Sequence, residues 1–395
     1  MQPRPHQIEG AKWALETIRT HGLAYLSWQE RTGKTLTALK TAEDSMCKSI
    51  LIVTKKKAIA GWEETLGEWE HKKNYTVINY ESIHKLKGSF DFIILDESHH
   101  AISGIGRPSK TWKAVKKFTK GKPILYLSAT PYAEHVGLLY NQFSLSDWSP
   151  FRADKSFFAW YTKYGIPNMI RTPYGLKDQK NTYKTEVVLQ KCEHLFNFKT
   201  RKEVGIEHEP TVNVVEVPLH EDTIQLMETW TTMQLLPIGD EPVLNDSDMK
   251  GRMVHYQLEG GTLKIDDESS IILEHTEKLD YCKANYDMNS TAFMCHFIKE
   301  RSLFEEHLIH VYSSDGHAEG VDLSHIDKLV IVSMSFKTSK YTQRIARQAN
   351  HNRKTPIEVD ILVSPKPSIG KAVYEAVAIK KENFIKASYE RTLSE

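Results

Sequence analysis

The chain has 395 residues, of which 40% are hydrophobic and 26% charged, a soluble globular balance with room for about two or three cores. Its formal net charge of +1 does not by itself point to nucleic acid, and local basic clusters matter more for such a partner. No apolar run approaches the roughly 20 residues of a membrane span, and the four cysteines (Cys47, Cys192, Cys282, Cys295) lack C-x-x-C spacing, indicating neither a disulfide framework nor a zinc site.

The opening MQPRPHQIEG has no apolar signal core, and the expectation is a protein of the reducing cytoplasm without a membrane partner. Five near-continuous apolar runs then alternate with helical segments: LAYLSW (23–28), ILIVT (50–54), YTVINY (75–80), FDFIILDE (90–97) and PILYLSAT (123–130). Strands apolar on both faces predict a parallel sheet covered by helices. At 148–209 the texture changes to aromatics, lysines and loop residues, which reads as an insertion or linker. Its FFAWYTKY (157–164) could stack bases beside lysines, or could glue the insertion to the first lobe. A second strand series follows at TAFMCHF (291–297), LIHVYSS (308–314), KLVIVSM (328–334) and IEVDILVS (357–364), and 371–393 reads as helical. The expectation is an α/β chain with a first lobe over 1–147, the insertion over 148–209 and a second lobe over 210–395.

Three loops carry candidate chemistry. Thr32-Gly33-Lys34-Thr35 lies between LAYLSW and the helical LTALKTAED. There a glycine permits close backbone approach, helix N-terminal amides face phosphates, Lys34 reaches β/γ oxygens, and the Thr35 hydroxyl can hold Mg²⁺. The form G-x-x-x-x-G-K-[ST] would place glycine where Trp28 stands, so TGKT alone is equally compatible with chance. Asp96 and Glu97 end an apolar strand. Such a pair can divide labour, Asp96 positioning Mg²⁺ and its water while Glu97 orients and deprotonates the attacking water; the plain alternative is a polar turn. SATP (128–131) again follows a strand, so all three loops are expected at one sheet edge, where ligands bind in α/β proteins. Cys295-His296, two ligand types without companions, reads as strand rather than metal site.

RPHQ (4–7), RTGKT (31–35), DESH (96–99) and SATP, in this order and spacing, resemble the N-terminal RecA-like lobe of superfamily 2 helicases and translocases. RTGKT, with Arg31 in place of the commoner glycine, looks like the loop of the Swi/Snf-like branch and its bacteriophage relatives. GHAEGVDLS (316–324) resembles that family's motif V, and YTQRIARQANHNR (341–353) its motif VI. The resemblance implies two RecA-like lobes with a cleft between them, ATP and Mg²⁺ as cofactors, and DNA, duplex or single-stranded, as partner ahead of RNA. It implies Gln7, Arg31, Thr32, Gly33, Lys34, Thr35, Gly320 and Asp322 at the nucleotide, Gln7 selecting adenine, and Thr35 and Asp96 at the metal. Lys34, Asp96, Glu97, Gln343 and Arg347 are implied in catalysis, and Thr54, Lys55, Lys56, Tyr80, Glu81, Thr130 and Ser313 at the nucleic acid.

Two departures accompany it. Asn350 stands where the second arginine of Q-x-x-x-R-x-x-R belongs, so Arg347 alone suffices, Arg353 or Arg344 substitutes, or turnover is weakened. About a dozen residues separate Glu300 from Tyr312, so the second lobe is expected to be trimmed. The implied function is an ATP-dependent DNA helicase or translocase in the cytoplasm, the host's if phage-encoded. Its rivals are a strand-separating helicase of forks or RNA, and a weakly hydrolysing ATP-dependent nucleic-acid-binding regulator.

Overall fold

The computed structural model describes residues 2–102, 104–132, 135–172, 175–206, 210–238, 242–246, 248–314, 323, 325–334, 341, 344–345, 348, 355–365 and 368–379. The chain divides into two compact units, one ending at Gly205 and the other beginning at Ile206.

In the first unit α1 (Pro5–His21) leads into β1 (Leu23–Trp28), α2 (Lys34–Asp44), β2 (Ser49–Thr54), α3 (Ile59–Glu68), β3 (Asn74–Asn79) and β4 (Phe92–Asp96). There follow α4 (Ser98–Ala101), α5 (Lys110–Thr119), β5 (Ile124–Leu127), α6 (Leu138–Phe143), α7 (Phe157–Tyr164), the hairpin β6 (Met169–Thr172) with β7 (Gly175–Asp178), α8 (Thr185–Gln190) and β8 (Phe196–Lys199). The main sheet has six strands in the order β3-β2-β4-β5-β1-β8, and every neighbouring pair is parallel. Successive side chains of β1 enter two different cores, Leu23 and Tyr25 one, Ala24, Leu26 and Trp28 the other. Burial on both faces is why the strands read as unbroken apolar runs.

Of the stretch 148–209, residues up to 205 belong to the first unit. Strand β8 lies beside β1, and its Phe196 ring stacks on Tyr25 at 4.9 Å. Three aromatics of α7 pack into the core of the first unit, while Phe158 is exposed. Phe157, Trp160 and Tyr161 are buried, with the Trp160 ring 5.5 Å from Tyr140 and 5.6 Å from Phe151.

The second unit is built on a five-stranded sheet, all parallel. Strand β9 (Pro210–Glu216) is followed by α9 (Glu221–Met233), the hairpin β10 (Leu235–Leu236) with β11 (Val243–Leu244), α10 (Asp248–Leu258), the hairpin β12 (Thr262–Lys264) with β13 (Ser270–Ile272) and α11 (Glu277–Asn285). The chain returns to the sheet with β14 (Thr291–Cys295), α12 (Ile298–Glu305), β15 (Val311–Ser313), β16 (Lys328–Ile331) and β17 (Ile357–Val363), giving the order β15-β14-β16-β17-β9. The fold is therefore α/β with two parallel sheets, as expected of two RecA-like lobes. A short helix, Ile369–Tyr374, follows β17. Among the described residues no helix is long and apolar enough to cross a membrane.

Candidate functional site

Because all six strands of the first sheet run the same way, their carboxyl ends share one edge. The loop from Gln29 leaves β1 there, Lys55 follows β2, Tyr80 follows β3, Asp96 and Glu97 close β4, and Ser128 to Pro131 follow β5.

Trp28, which stands where a phosphate loop would carry its first glycine, is fully buried, and its indole Nε1 donates to Asn197 Oδ1 at 2.7 Å. It anchors the strand end. The turn itself comes later, through Arg31 at φ 65° and Gly33 at φ 90°. Lys34 opens α2 and folds back, its Nζ donating to the carbonyls of Trp28 at 2.7 Å and Gln29 at 3.0 Å. Thr32 is buried and donates to the Gln29 carbonyl at 2.7 Å, whereas Thr35 is half-buried and Arg31 exposed.

Helix α1 clamps this loop from outside. Gln7 accepts from the Arg4 amide at 2.7 Å and donates to the Gly33 carbonyl at 3.2 Å. His6 Nε2 donates to the Thr32 carbonyl at 3.0 Å; burial holds this imidazole below its ordinary value, so it is neutral at pH 7. Gln7, expected at adenine, is thus engaged with the loop. A Cβ on Gly33 would lie 2.0 Å from Gln7 Nε2. Gly33→Ala must therefore displace the clamp and hold alanine at a left-handed φ, and a loss of about 1–3 kcal/mol is expected in urea unfolding.

The carboxylates are held by more partners than their motif shows. Asp96 Oδ2 accepts from Thr54 Oγ1 at 2.7 Å and from Trp62 Nε1 at 3.0 Å, while Tyr80 Oη donates to the Asp96 carbonyl at 2.9 Å. Burial, then the charge of Asp96, holds the Tyr80 phenol well above its ordinary value, so it remains a donor. Glu97 has φ 52°, with Lys55 Nζ 3.8 Å and His99 Nδ1 3.6 Å from its Oε2. His99 Nδ1 also meets Ser128 Oγ at 2.9 Å, and Ser128 Oγ accepts from the Thr130 amide at 3.0 Å. The DESH and SATP loops are therefore bonded to each other.

Beneath them lies Gln142, fully buried and outside every motif. Its Oε1 accepts from Ser98 Oγ at 2.8 Å and Tyr25 Oη at 3.0 Å, and its Nε2 donates to the Pro131 carbonyl at 2.8 Å and the Leu138 carbonyl at 3.0 Å. Sequence reasoning missed Gln142, Trp62 and His6. Only His6, inside RPHQ, carried a signal.

Three of the residues expected at nucleic acid are enclosed. Thr54, Tyr80 and Thr130 are buried, and the hydroxyls of Thr54 and Tyr80 are committed to Asp96. These two stand behind the carboxylate. Lys56 and Glu81 are exposed and Lys55 is half-buried. In the second unit Ser313 ends β15, half-buried, beside Cys295. Arg344, one possible substitute for the missing arginine, is buried and donates through Nε to the Ser314 carbonyl. Gly320, Asp322, Gln343, Arg347, Asn350 and Arg353 lie outside the described residues. Cys295 is a buried strand residue and the His296 amide donates to Ser333 Oγ at 2.7 Å.

The residues present fit a magnesium-bound polyphosphate. Asp96 accepts both side-chain donors on one oxygen, Oδ2, and among the described residues none reaches Oδ1, which leaves that oxygen for a hard cation. The loop amides at the start of α2 and the Lys34 ammonium suit anionic oxygens. Fold and site together define a parallel α/β protein with a phosphate-type loop and a carboxylate pair on one edge.

Residues 62–133 match the family described as type III restriction enzyme, res subunit. The matched stretch includes most of α3, β4 with its carboxylates, β5 and SATP. No curated protein matches the chain. Among solved structures, the Sulfolobus solfataricus SWI2/SNF2 ATPase core domain aligns with 98% of this chain and 90% of its own, at 14% identity and a TM-score of 0.44.

Proposed function

We propose that this chain is a superfamily 2 ATPase that couples hydrolysis of Mg·ATP to movement along DNA, with duplex DNA as the favoured track. The observation that carries the reading is the meeting, at one edge of a parallel sheet, of the Lys34 loop, the Asp96-Glu97 pair and a Ser128 bonded to His99. The family match over 62–133 supports it. Lys34 and the loop amides would hold the phosphates. Thr35 and Asp96 would hold Mg²⁺, which supplies charge neutralisation at the phosphoryl oxygens when bound. Glu97 would take the proton of the attacking water. Gln7 at adenine, Gly320 and Asp322 at the nucleotide, and Gln343 and Arg347 at the γ-phosphate rest on the sequence resemblance alone. Lys55, Lys56, Glu81 and Ser313 stay as proposed DNA contacts, and cytoplasmic location as a proposed setting.

Phosphate release measured with no nucleic acid, single-stranded DNA, duplex DNA and RNA tests this reading. Duplex DNA is expected to stimulate most; no stimulation by any of them would leave only the weakly hydrolysing regulator, which Asn350 favours. Stimulation by forks with strand separation would favour the unwinding rival. Tracking the backbone also predicts a salt response. If two to four phosphates are gripped, DNA affinity should fall roughly 10–150-fold between about 50 and 200 mM salt; a flat dependence in a fluorescence titration would contradict phosphate tracking.

A further inference from the structure

Both side-chain donors to Asp96 come from outside its own strand. Thr54 ends β2, the neighbouring strand, and is fully buried. Trp62 sits in α3 and is 3% exposed, its ring packed into the core on that face of the sheet. Their hydroxyl and indole N–H converge on the same oxygen, Oδ2, at 2.7 and 3.0 Å. Tyr80, from the end of β3, fixes the carbonyl of the same residue at 2.9 Å.

A carboxylate is two-fold symmetric about its last torsion, so an unheld Asp96 could present either oxygen and swing between several rotations. Two donors on one oxygen remove that freedom. They are charge-assisted bonds in a largely buried setting, stronger than their neutral counterparts. Tryptophan makes a stiff version of such a brace, because its indole is wedged in the core and its N–H can only donate.

We infer that Trp62 and Thr54 are positioning residues that hold Asp96 Oδ2 so that Oδ1 alone is offered to the divalent cation. The inference rests on the nucleotide-site reading above. It assigns to α3 a role in metal affinity: a shift of α3 against β4 would move the indole off Oδ2 and loosen the cation.

The test is Mn²⁺ binding, read by electron paramagnetic resonance in the presence of a non-hydrolysable ATP analogue, for wild type, Trp62→Phe, Thr54→Val and Thr54→Ser. Outer partners of a metal ligand typically contribute about 10–100-fold in affinity. Trp62→Phe and Thr54→Val are each expected to weaken Mn²⁺ at least about tenfold, with metal-free nucleotide affinity unchanged. Thr54→Ser, which keeps the hydroxyl, should stay within about twofold of wild type. A merely structural role would lower the melting temperature and leave Mn²⁺ affinity alone. Folded variants that bind Mn²⁺ as wild type does overturn the inference, and if Trp62→Phe does not fold, the near-isosteric Thr54→Val decides by the same criterion. A wild type that binds no Mn²⁺ with nucleotide would instead sink the nucleotide-site reading.

Discussion

Lys34→Ala is expected to bring phosphate release down by at least about 10²–10³-fold, the scale seen when one preorganised electrostatic partner of a transition state is removed. The physical reason lies in how the ammonium is placed. Its Nζ rests on the carbonyls of Trp28 and Gln29, within the loop that α1 clamps through Gln7 and His6. The backbone around it is therefore preset, and only the lysine tip has to move to meet a phosphate. Alanine leaves the same amides but no charge, so nucleotide binding should weaken as well. Unfolding stability should change little, because the two carbonyls gain access to water. Turnover close to wild type under saturating DNA would remove Lys34 from the site.

Glu97→Gln is the second large effect, with the opposite signature in binding. The amide keeps the size of the side chain but cannot take a proton, so Mg·ATP should bind with near-normal affinity while turnover drops at least about 10²-fold, the usual contribution of a general base. Glu97 holds φ 52°, a left-handed conformation that costs a non-glycine residue about 1–2 kcal/mol. Its side chain lies near Lys55 and His99, 3.8 and 3.6 Å from Oε2. Equilibrium binding of a fluorescent ATP analogue and single-turnover hydrolysis together separate the outcomes. A variant that no longer binds nucleotide would make Glu97 a structural residue.

Much of the first unit was legible because its chemistry is written locally. Each central strand is buried on both faces and so appears as an apolar run, and each motif sits where such a run stops. A parallel sheet then brings those stops to one edge without further information. The two main-sheet strands that escaped notice, β8 and β9, are edges. Strand β9 has only half-buried and exposed residues along PTVNVVE, and β8, FNFK, is four residues long; an edge strand is open to solvent along one side, loses the apolar run, and is defined by a distant partner. The same holds for the aromatics of 157–164, where the place of Trp160 among Tyr140, Phe151 and Tyr183 is set by distant partners.

The sequence by itself determined the α/β class, the phosphate-type loop, the acidic pair and their shared edge, since these follow from residue types at short spacing. Only the tertiary structure decided what holds them. Thr54 and Trp62 lie 42 and 34 residues before Asp96, and Gln142 lies 44 residues after Ser98. In sequence they are a strand-end threonine, a core tryptophan and a helical glutamine. Whether a hydroxyl, an indole N–H or an amide serves a carboxylate or a surface depends on which strand becomes a neighbour, and that is settled by packing across the whole sheet, where a buried polar group must find its partner.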